Sequence, residues 1–372
     1  MKRLLTLAEQ GRVRVILDNA GLHHSAKKPK REDRFEERFE QAATGDAAIK
    51  RGNFRRYAHD KVMVVSDASG AKKVLTGATN FSATGLYVNS NHVLVFDDKS
   101  TAEKYAELFQ QVWDDEVEAA PFIASELSAE EFSPPRTVKP PRKITFAPHS
   151  KEVATGLLDG IVARIDAEAA TKGPAASVLF AVMGLEGSGP VYPALQEIHK
   201  DDGVFSYGVS DDPEGIALYE PDRKTGVLVT GKPKKTKLPP PFNQVPSLGL
   251  GHQIHHKFVI CGFNGDDPVV YCGSSNLALA GEMVNGDNLI EIRDGDVATA
   301  FALEALALVD HFQFLNRLSQ HGRDVAEPPA AKREAARKAD WFLSTGDGWT
   351  RPYFDEDDLR CLDRELFAAP LV

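Results

Sequence analysis

Two short stretches of this 372-residue chain carry the same reactive side chains at the same spacing. His59-Asp60-Lys61 is followed by Gly77 and Asn80 in a Gly-x-x-Asn turn, and His255-His256-Lys257 by Gly273 and Asn276 in another. One shift of 196 positions superposes His59 on His255, Lys61 on Lys257 and Asn80 on Asn276. It also places Gly85 on Gly281 and Asn89 on Asn285, without a gap. This is an internal duplication. One copy offers an imidazole, an ammonium and a carboxamide, so two copies facing each other offer two of each around one point. That set suits a tetrahedral phosphate. Two ammonium groups and two amide donors hold the non-bridging oxygens and tighten as charge builds in the transition state. One neutral imidazole can attack phosphorus while the other, protonated, supplies a proton to the leaving oxygen. Water activated by the second histidine would then release the phosphohistidine. The lysines supply the positive charge, so neither a metal nor another cofactor is expected. His252, His255 and His256 together suggest a metal site, but alternation along a strand puts His255 and His256 on opposite faces.

The elements that must position these groups follow from the hydrophobic pattern. Each His-x-Lys opens an apolar run, Val62–Val65 or Phe258–Ile260, read as a strand; the first spans Ala58–Val65. Residues two apart on a strand share a face, so histidine and lysine project together while Asp60 and His256 face away. In the first copy a helix closed by Gly11 precedes a strand at Arg12–Leu17. Residues 20–56 are polar and charged, and strands at Lys73–Leu75 and His92–Phe96 precede a helix at Thr101–Val117. Ser133–Arg142 holds four prolines and reads as a linker. Beyond it come a helix Glu152–Ala170, a buried strand Ser177–Met183, a helix Tyr192–His199 and a strand Val204–Val209. A strand Leu289–Ile292 and a helix Thr299–Leu318 complete the second copy. From Pro328 the chain reads as a charged helix and then an aromatic tail (Trp341, Trp349, Tyr353, Phe354, Phe367) expected to pack on the second domain.

Composition limits the function classes. A hydrophobic share of 42% and a charged share of 26% are those of a globular protein. The net charge of −10 excludes wholesale coating of nucleic acid, so an anion site must be a local basic patch. Cys261, Cys272 and Cys361 are too few for a disulfide framework and read as reduced thiols of a cytoplasmic protein. No stretch approaches the roughly 20 apolar residues that span a bilayer.

The doubled His-x-Lys followed by Gly-x-x-Asn resembles the signature of the phospholipase D superfamily. The resemblance implies an α/β fold of two phospholipase D-like α/β/α domains related by a pseudo-twofold axis, with the active site at their interface. It covers a first domain at 1–118 and a second at 144–318, leaving a Pro-rich region at 119–143 and a tail at 319–372. It implies phosphodiester cleavage or exchange through a covalent phosphohistidine, with His59, Lys61, Asn80, His255, Lys257 and Asn276 as the catalytic set. The family's acidic residue five places after the lysine is Ser66 in one copy and Gly262 in the other. Its later acid, near Asn-x-Glu, falls at Asn91 and at Asp287.

Two basic knots, Lys27–Arg31 and the loop bearing Lys232, Lys234, Lys235 and Lys237, occupy corresponding places before each His-x-Lys strand, and the second is a candidate substrate rim. The expected substrate is a phospholipid, with peripheral membrane contact. The alternatives are a nuclease acting on DNA or RNA and a phosphate-binding scaffold without turnover. Before Gly11 stands one helix, where the second copy has a helix, a strand and a helix before Gly203. The first domain is therefore expected to contain fewer strands, with Arg12–Leu17 open on one side.

Overall fold

The computed structural model describes residues 2–173, 175–212, 215–220, 226–229, 253–321, 346–358, 360–361 and 364–365, with side chains of the last long helix described as far as Phe314. Helix α1 (Lys2–Glu9) stops at Gly11, whose φ of +69° suits a residue without a Cβ. Strands β1 (Arg14–Asp18) and β2 (Ala48–Gly52) pair in parallel, and helix α2 (Arg31–Ala42) crosses between them. Residues 20–56 thus hold a helix and a strand that their polar composition conceals. Phe35 and Phe39, one helical turn apart, are the buried anchors of α2, packed with Ala8 of α1 and with Val15, Leu17 and Ile49.

Strand β3 (Tyr57–Ala58) is only two residues long. The chain then leaves the strand at His59–Val62 and re-enters one at β4 (Met63–Asp67). The expected continuous strand Ala58–Val65 is therefore interrupted at the His-x-Lys itself, because its two ends belong to different sheets. Strand β4 joins β5 (Gly70–Gly77) and β6 (Val93–Phe96) in a three-stranded antiparallel sheet with β5 in the middle. Helix α3 (Ala83–Tyr87) is a short turn after Asn80. Helix α4 (Lys99–Asp114) packs on β5 and is capped by Asp98, whose carboxylate accepts from the Thr101 N–H at 2.9 Å.

Helices α5 (Ala119–Ile123) and α6 (Glu126–Ala129) follow, so the region 119–143 is structured before its prolines. Phe122 of α5 packs on Phe54, with ring centroids 5.5 Å apart. The proline stretch ends in β7 (Arg142–Ala147). Helix α7 (Lys151–Thr171), β8 (Ser177–Val182), α8 (Val191–Ile198) and β9 (Phe205–Asp212) come next, then β10 (Gly215–Tyr219) and β11 (Val227–Val229). After residues outside the description come β12 (Lys257–Cys261), β13 (Val269–Gly273), α9 (Leu279–Val284), β14 (Asn285–Ile292) and α10 (Gly295–His321).

The large sheet runs β11-β10-β9-β8-β12-β13-β14. Strand β7 lies antiparallel along Asp287–Ile292 of β14, and β3 lies parallel to β14 at Asn285 and Gly286. Every residue of β8, β12 and β13 is buried, as expected of apolar runs covered on both faces. Leu158, Ile161 and Ile165 of α7 and Val191, Leu195 and Ile198 of α8 close one face over Val178, Phe180, Val259 and Tyr271. Among the described residues, six strands precede residue 118 and eight follow it.

Among the described residues, one helix, at Gly295–Phe314 of α10, is long and apolar enough to cross a membrane by length and composition; the sequence reading found no such stretch. Its buried residues, Ala298, Phe301, Ala302, Ala305, Leu308, Val309 and Phe312, recur at helical spacing, which is the pattern of a helix packed on a core. All three cysteines are free and buried. By its contacts the chain forms two compact units, Met1–Lys232 with Val245–Phe314, and Pro233–Gln244 with Leu315–Val372. In the second, the described residues form a 3-10 turn at Gly348–Phe354, and Arg364 donates to the Tyr353 carbonyl at 2.6 Å.

Candidate active site

The two His-x-Lys segments are delivered by the same device, used in both directions. The His59 N–H donates to the Gly286 carbonyl at 2.9 Å, where β3 runs along β14. The His255 N–H donates to the Ser90 carbonyl, also at 2.9 Å, beside a parallel bridge between Ser90 and Ile254. Each histidine is thus held by backbone from the other repeat.

The imidazoles are oriented across the repeats too. His59 Nδ1 lies 2.6 Å from Asp287 Oδ1, so it donates to a carboxylate that is itself buried. His255 Nδ1 lies 3.0 Å from the Ala78 carbonyl and 2.9 Å from Asn91 Oδ1. A carbonyl only accepts, so the proton of His255 sits on Nδ1 and its Nε2 is the unprotonated nitrogen. Asn80 Nδ2 stands 3.5 Å from that Nε2. Both lysines fold back on their own histidine's carbonyl. Lys61 Nζ donates to His59 O, and Lys257 Nζ donates to His255 O at 3.1 Å. Five of the six expected catalytic residues are therefore brought together. Asn276 is placed less fully: its carbonyl accepts from the Tyr192 hydroxyl, and its carboxamide oxygen is buried with no hydrogen-bond partner.

The turns that carry the asparagines are equally matched. Gly77 and Gly273 have φ of +135° and +129°, and a Cβ there would fall 2.5 Å from His92 O and 2.4 Å from Asn288 O. Those carbonyls accept from Ala78 N and Ser274 N, both at 3.1 Å. Only glycine allows the approach.

Behind the site lies a layer that sequence reasoning did not single out. Asp60 accepts from Asn288 Nδ2 at 2.7 Å. At the corresponding positions of the other repeat, His256 Nδ1 meets His92 Nδ1 at 3.3 Å, their rings stacked with centroids 5.6 Å apart. Gly273 N–H donates to His92 Nε2 at 3.4 Å, which leaves the His92 proton on Nδ1. His256 Nε2 then donates to Glu304 of α10 at 3.0 Å. The available signal was one polar residue at the mouth of an apolar strand, His92 before Val93–Phe96 and Asn288 before Leu289–Ile292.

Burial depresses His59, opposed by the charge of Asp287 and reinforced by Lys61 and Lys257. His255 falls to about 2, through burial first and then Lys257, Lys61 and His59. Lys61 is pulled down to about 8 by burial, against the pull of Asp287, Asp60 and Asp18. Burial and the Lys61 charge push Lys257 far below its ordinary value. Asp60 is raised to about 7 by burial and by Asp287. Burial is the first cause at each of these groups, and the two lysines add positive charge that an arriving anion would balance.

Of the basic knots, Lys27 and Lys28 are exposed, while the Lys30 N–H donates to Asp33 at the start of α2. Arg51 is held by Glu36 at 2.8 Å and by Asp33. Lys232, Lys234, Lys235 and Lys237 lie outside the described residues, as does His252. Among the described residues, no group of three or more His, Cys, Asp or Glu side chains is placed to hold a metal ion.

The family model for the PLD-like domain of cardiolipin synthase matches residues 1–113. No curated protein matches the chain. The matched stretch contains His59, Lys61 and Asn80, the first of the two sets just described. Residues 1–113 are a phospholipase D-like domain, which places that stretch in the phospholipase D superfamily.

Proposed function

We propose that the chain is a metal-independent phosphodiesterase that hydrolyses a phospholipid through a phosphohistidine. Its two phospholipase D-like domains, 1–118 and 144–318, would be related by a pseudo-twofold axis with the site between them. The observation that carries this reading is the reciprocity of the contacts. His59 with Asp287 and Gly286 answers to His255 with Asn91 and Ser90 at the same offset. Two imidazoles with fixed Nδ1 protons, two lysines and Asn80 converge where a phosphate would have to sit. The lysines and Asn80 hold the non-bridging oxygens. One imidazole attacks phosphorus and the other moves the proton between leaving oxygen and water. A phospholipid is favoured over nucleic acid by the lipid-synthase family matched over 1–113 and by the net charge of −10.

The test is turnover of bis(p-nitrophenyl) phosphate with and without EDTA, beside mixed phospholipid vesicles and single-stranded DNA. Cleavage should survive EDTA, and head group should be released from the vesicles. His59→Ala and His255→Ala should each lower turnover by about 10³-fold or more. Loss of activity in EDTA would refute the metal-free mechanism. Cleavage of DNA alone would make the chain a nuclease, and no cleavage of any phosphodiester would leave a phosphate-binding scaffold.

A further inference from the structure

The rim of the site is not the same on its two sides. Tyr57 and His59 are two apart on the segment that runs along β14, so they share a face, and their ring centroids stand 6.4 Å apart. The Arg56 guanidinium lies over the Tyr57 ring, 5.0 Å from its centroid, which places a cation one ring beyond the imidazole. Arg55 and Arg56 are both exposed, and among the described residues neither meets a carboxylate. Arg51, a few residues earlier, is by contrast neutralised by Asp33 and Glu36.

This segment is held in place by the rest of the fold. The Arg56 N–H donates to the Val284 carbonyl at 3.1 Å. Asn53 Nδ2 donates to the Phe54 carbonyl at 2.8 Å and to the Arg56 carbonyl at 3.3 Å. The Phe54 ring packs on Phe122 and lies so close to Gly286 that a Cβ there would fall 2.3 Å from it. At the positions 196 later stand Gly251, His252 and Gln253, with neither a guanidinium nor a phenol ring. Each side has one acid on its backbone: Asp18 accepts from the Ala58 N–H at 2.6 Å, and Asp211 from the Gln253 N–H at 2.8 Å. The acids match, so the two arginines and Tyr57 are what set the sides apart.

From this asymmetry we infer that the rim beside His59 is a subsite for a second negative charge on the substrate, a phospholipid whose polar arm carries a phosphate or carboxylate beyond the bond that is cut. The inference rests on the phosphodiesterase reading. Arg56 holds the anion through its planar fork, pre-oriented on the Tyr57 ring, and Arg55 adds charge. In a chain of net charge −10, the arginine pair is the local basic patch that such a group needs. The charged arm of the substrate therefore lies toward the first repeat.

Ethyl, 2-carboxyethyl and 2-phosphoethyl p-nitrophenyl phosphate test this, compared by kcat/KM for release of p-nitrophenolate. Wild type should favour the charged arms over ethyl by about tenfold or more, and the preference should shrink between about 0.02 and 0.5 M salt. Arg56→Gln should lower kcat/KM for the charged arms by about fivefold or more beyond its effect on the ethyl ester, mainly through KM. Arg56→Lys should recover part of that difference, because it keeps the charge and loses the fork. Turnover of the ethyl ester by each variant shows that it is folded. Equal kcat/KM for the three esters, or a preference that Arg56→Gln leaves in place, would overturn the subsite and leave the phosphodiesterase reading intact. An Arg56-dependent preference for a single-stranded oligonucleotide over phosphatidylserine vesicles would overturn the lipid assignment, the second charge then being the next phosphate of a nucleic acid. Wild type that cleaves none of the esters would overturn the reading itself and the subsite with it.

Discussion

Val259, Tyr271 and Leu289 lie in a closed core, while the residues 196 positions earlier, Met63, Leu75 and Val93, line a face that nothing among the described residues closes in the same way. In the second half α7 and α8 cover that face, and β8 extends the sheet beside β12. In the first half Met63, Val65, Val93 and Val95 stand 43%, 52%, 45% and 60% exposed, all on one side of the β4-β5-β6 sheet. The opposite side is alike in both halves. Val74, Thr76 and Phe96 are buried under α4, as Val270, Cys272 and Ile292 are buried in the second half. The cross-repeat bonds to His59 and His255 have the same length. The geometry of the site therefore depends on the inner layer and on backbone exchanged between halves. The outer cladding contributes stability to one half only.

Positions shared by both halves should break both equally, and this is the largest expected effect. Gly77→Ala and Gly273→Ala each force a Cβ against a carbonyl oxygen at positive φ. Each should cost about 3 kcal/mol or more, read by urea unfolding, and should remove activity. A large cost at Gly273 with none at Gly77 would mean that the first turn is not the same device.

Outer-face positions should separate the halves. Leu289→Ala removes a side chain 7% exposed within the core and should cost about 2–3 kcal/mol. Val93→Ala, at the matching position, should change stability by about 0.5 kcal/mol or less. Equal costs would show that the first face is covered in solution.

Much of this was legible in the sequence, for specific reasons. The 196-residue shift gave the candidate residues, and long periodic segments gave α7, β8, α8 and α10 within a few residues. Helix α2 was hidden because its sequence, Arg-Glu-Asp-Arg-Phe-Glu-Glu-Arg-Phe-Glu-Gln-Ala, spends only Phe35 and Phe39 on the core. Strand β7 was hidden by the prolines before it, and β10 by its position on the far side of β9. The interruption at His59–Val62 was hidden because an apolar run does not say that its two ends pair in different sheets. Above all, equal spacing cannot tell whether the partner of a histidine lies in its own repeat or in the other. Asp287 serves His59, and only the fold reveals the exchange.

The smallest expected effect compares Asp60 with His256, which occupy one position of the repeat and titrate in opposite senses. Asp60 is raised to about 7 by burial and by Asp287. Between its ordinary value and about 7, the folded chain holds a proton that the unfolded chain has released, so stability falls as pH climbs through that window. His256 is lowered by burial, against the pull of Glu304. Below about 6.5 the unfolded chain takes up a proton that the folded chain refuses, so its contribution is lost as pH falls. Asp60→Asn keeps a neutral group beside Asn288 and removes the first dependence. Relative to wild type it should gain about 1–2 kcal/mol between pH 5 and pH 7, after allowance for relaxation around the buried carboxyl. Glu282, raised to about 7 by burial first and by Asp287 and Asp60 last, gives a slope of the same sense in both proteins, smaller in the variant by the part that Asp60 contributes. His256→Gln should instead recover stability on the acid side, relative to wild type, as pH falls below about 6.5. Urea unfolding at pH 5, 6, 7 and 8 reads both. Parallel curves for wild type and Asp60→Asn would mean that Asp60 is ionised in the fold, and that the two halves differ at this position in shape alone.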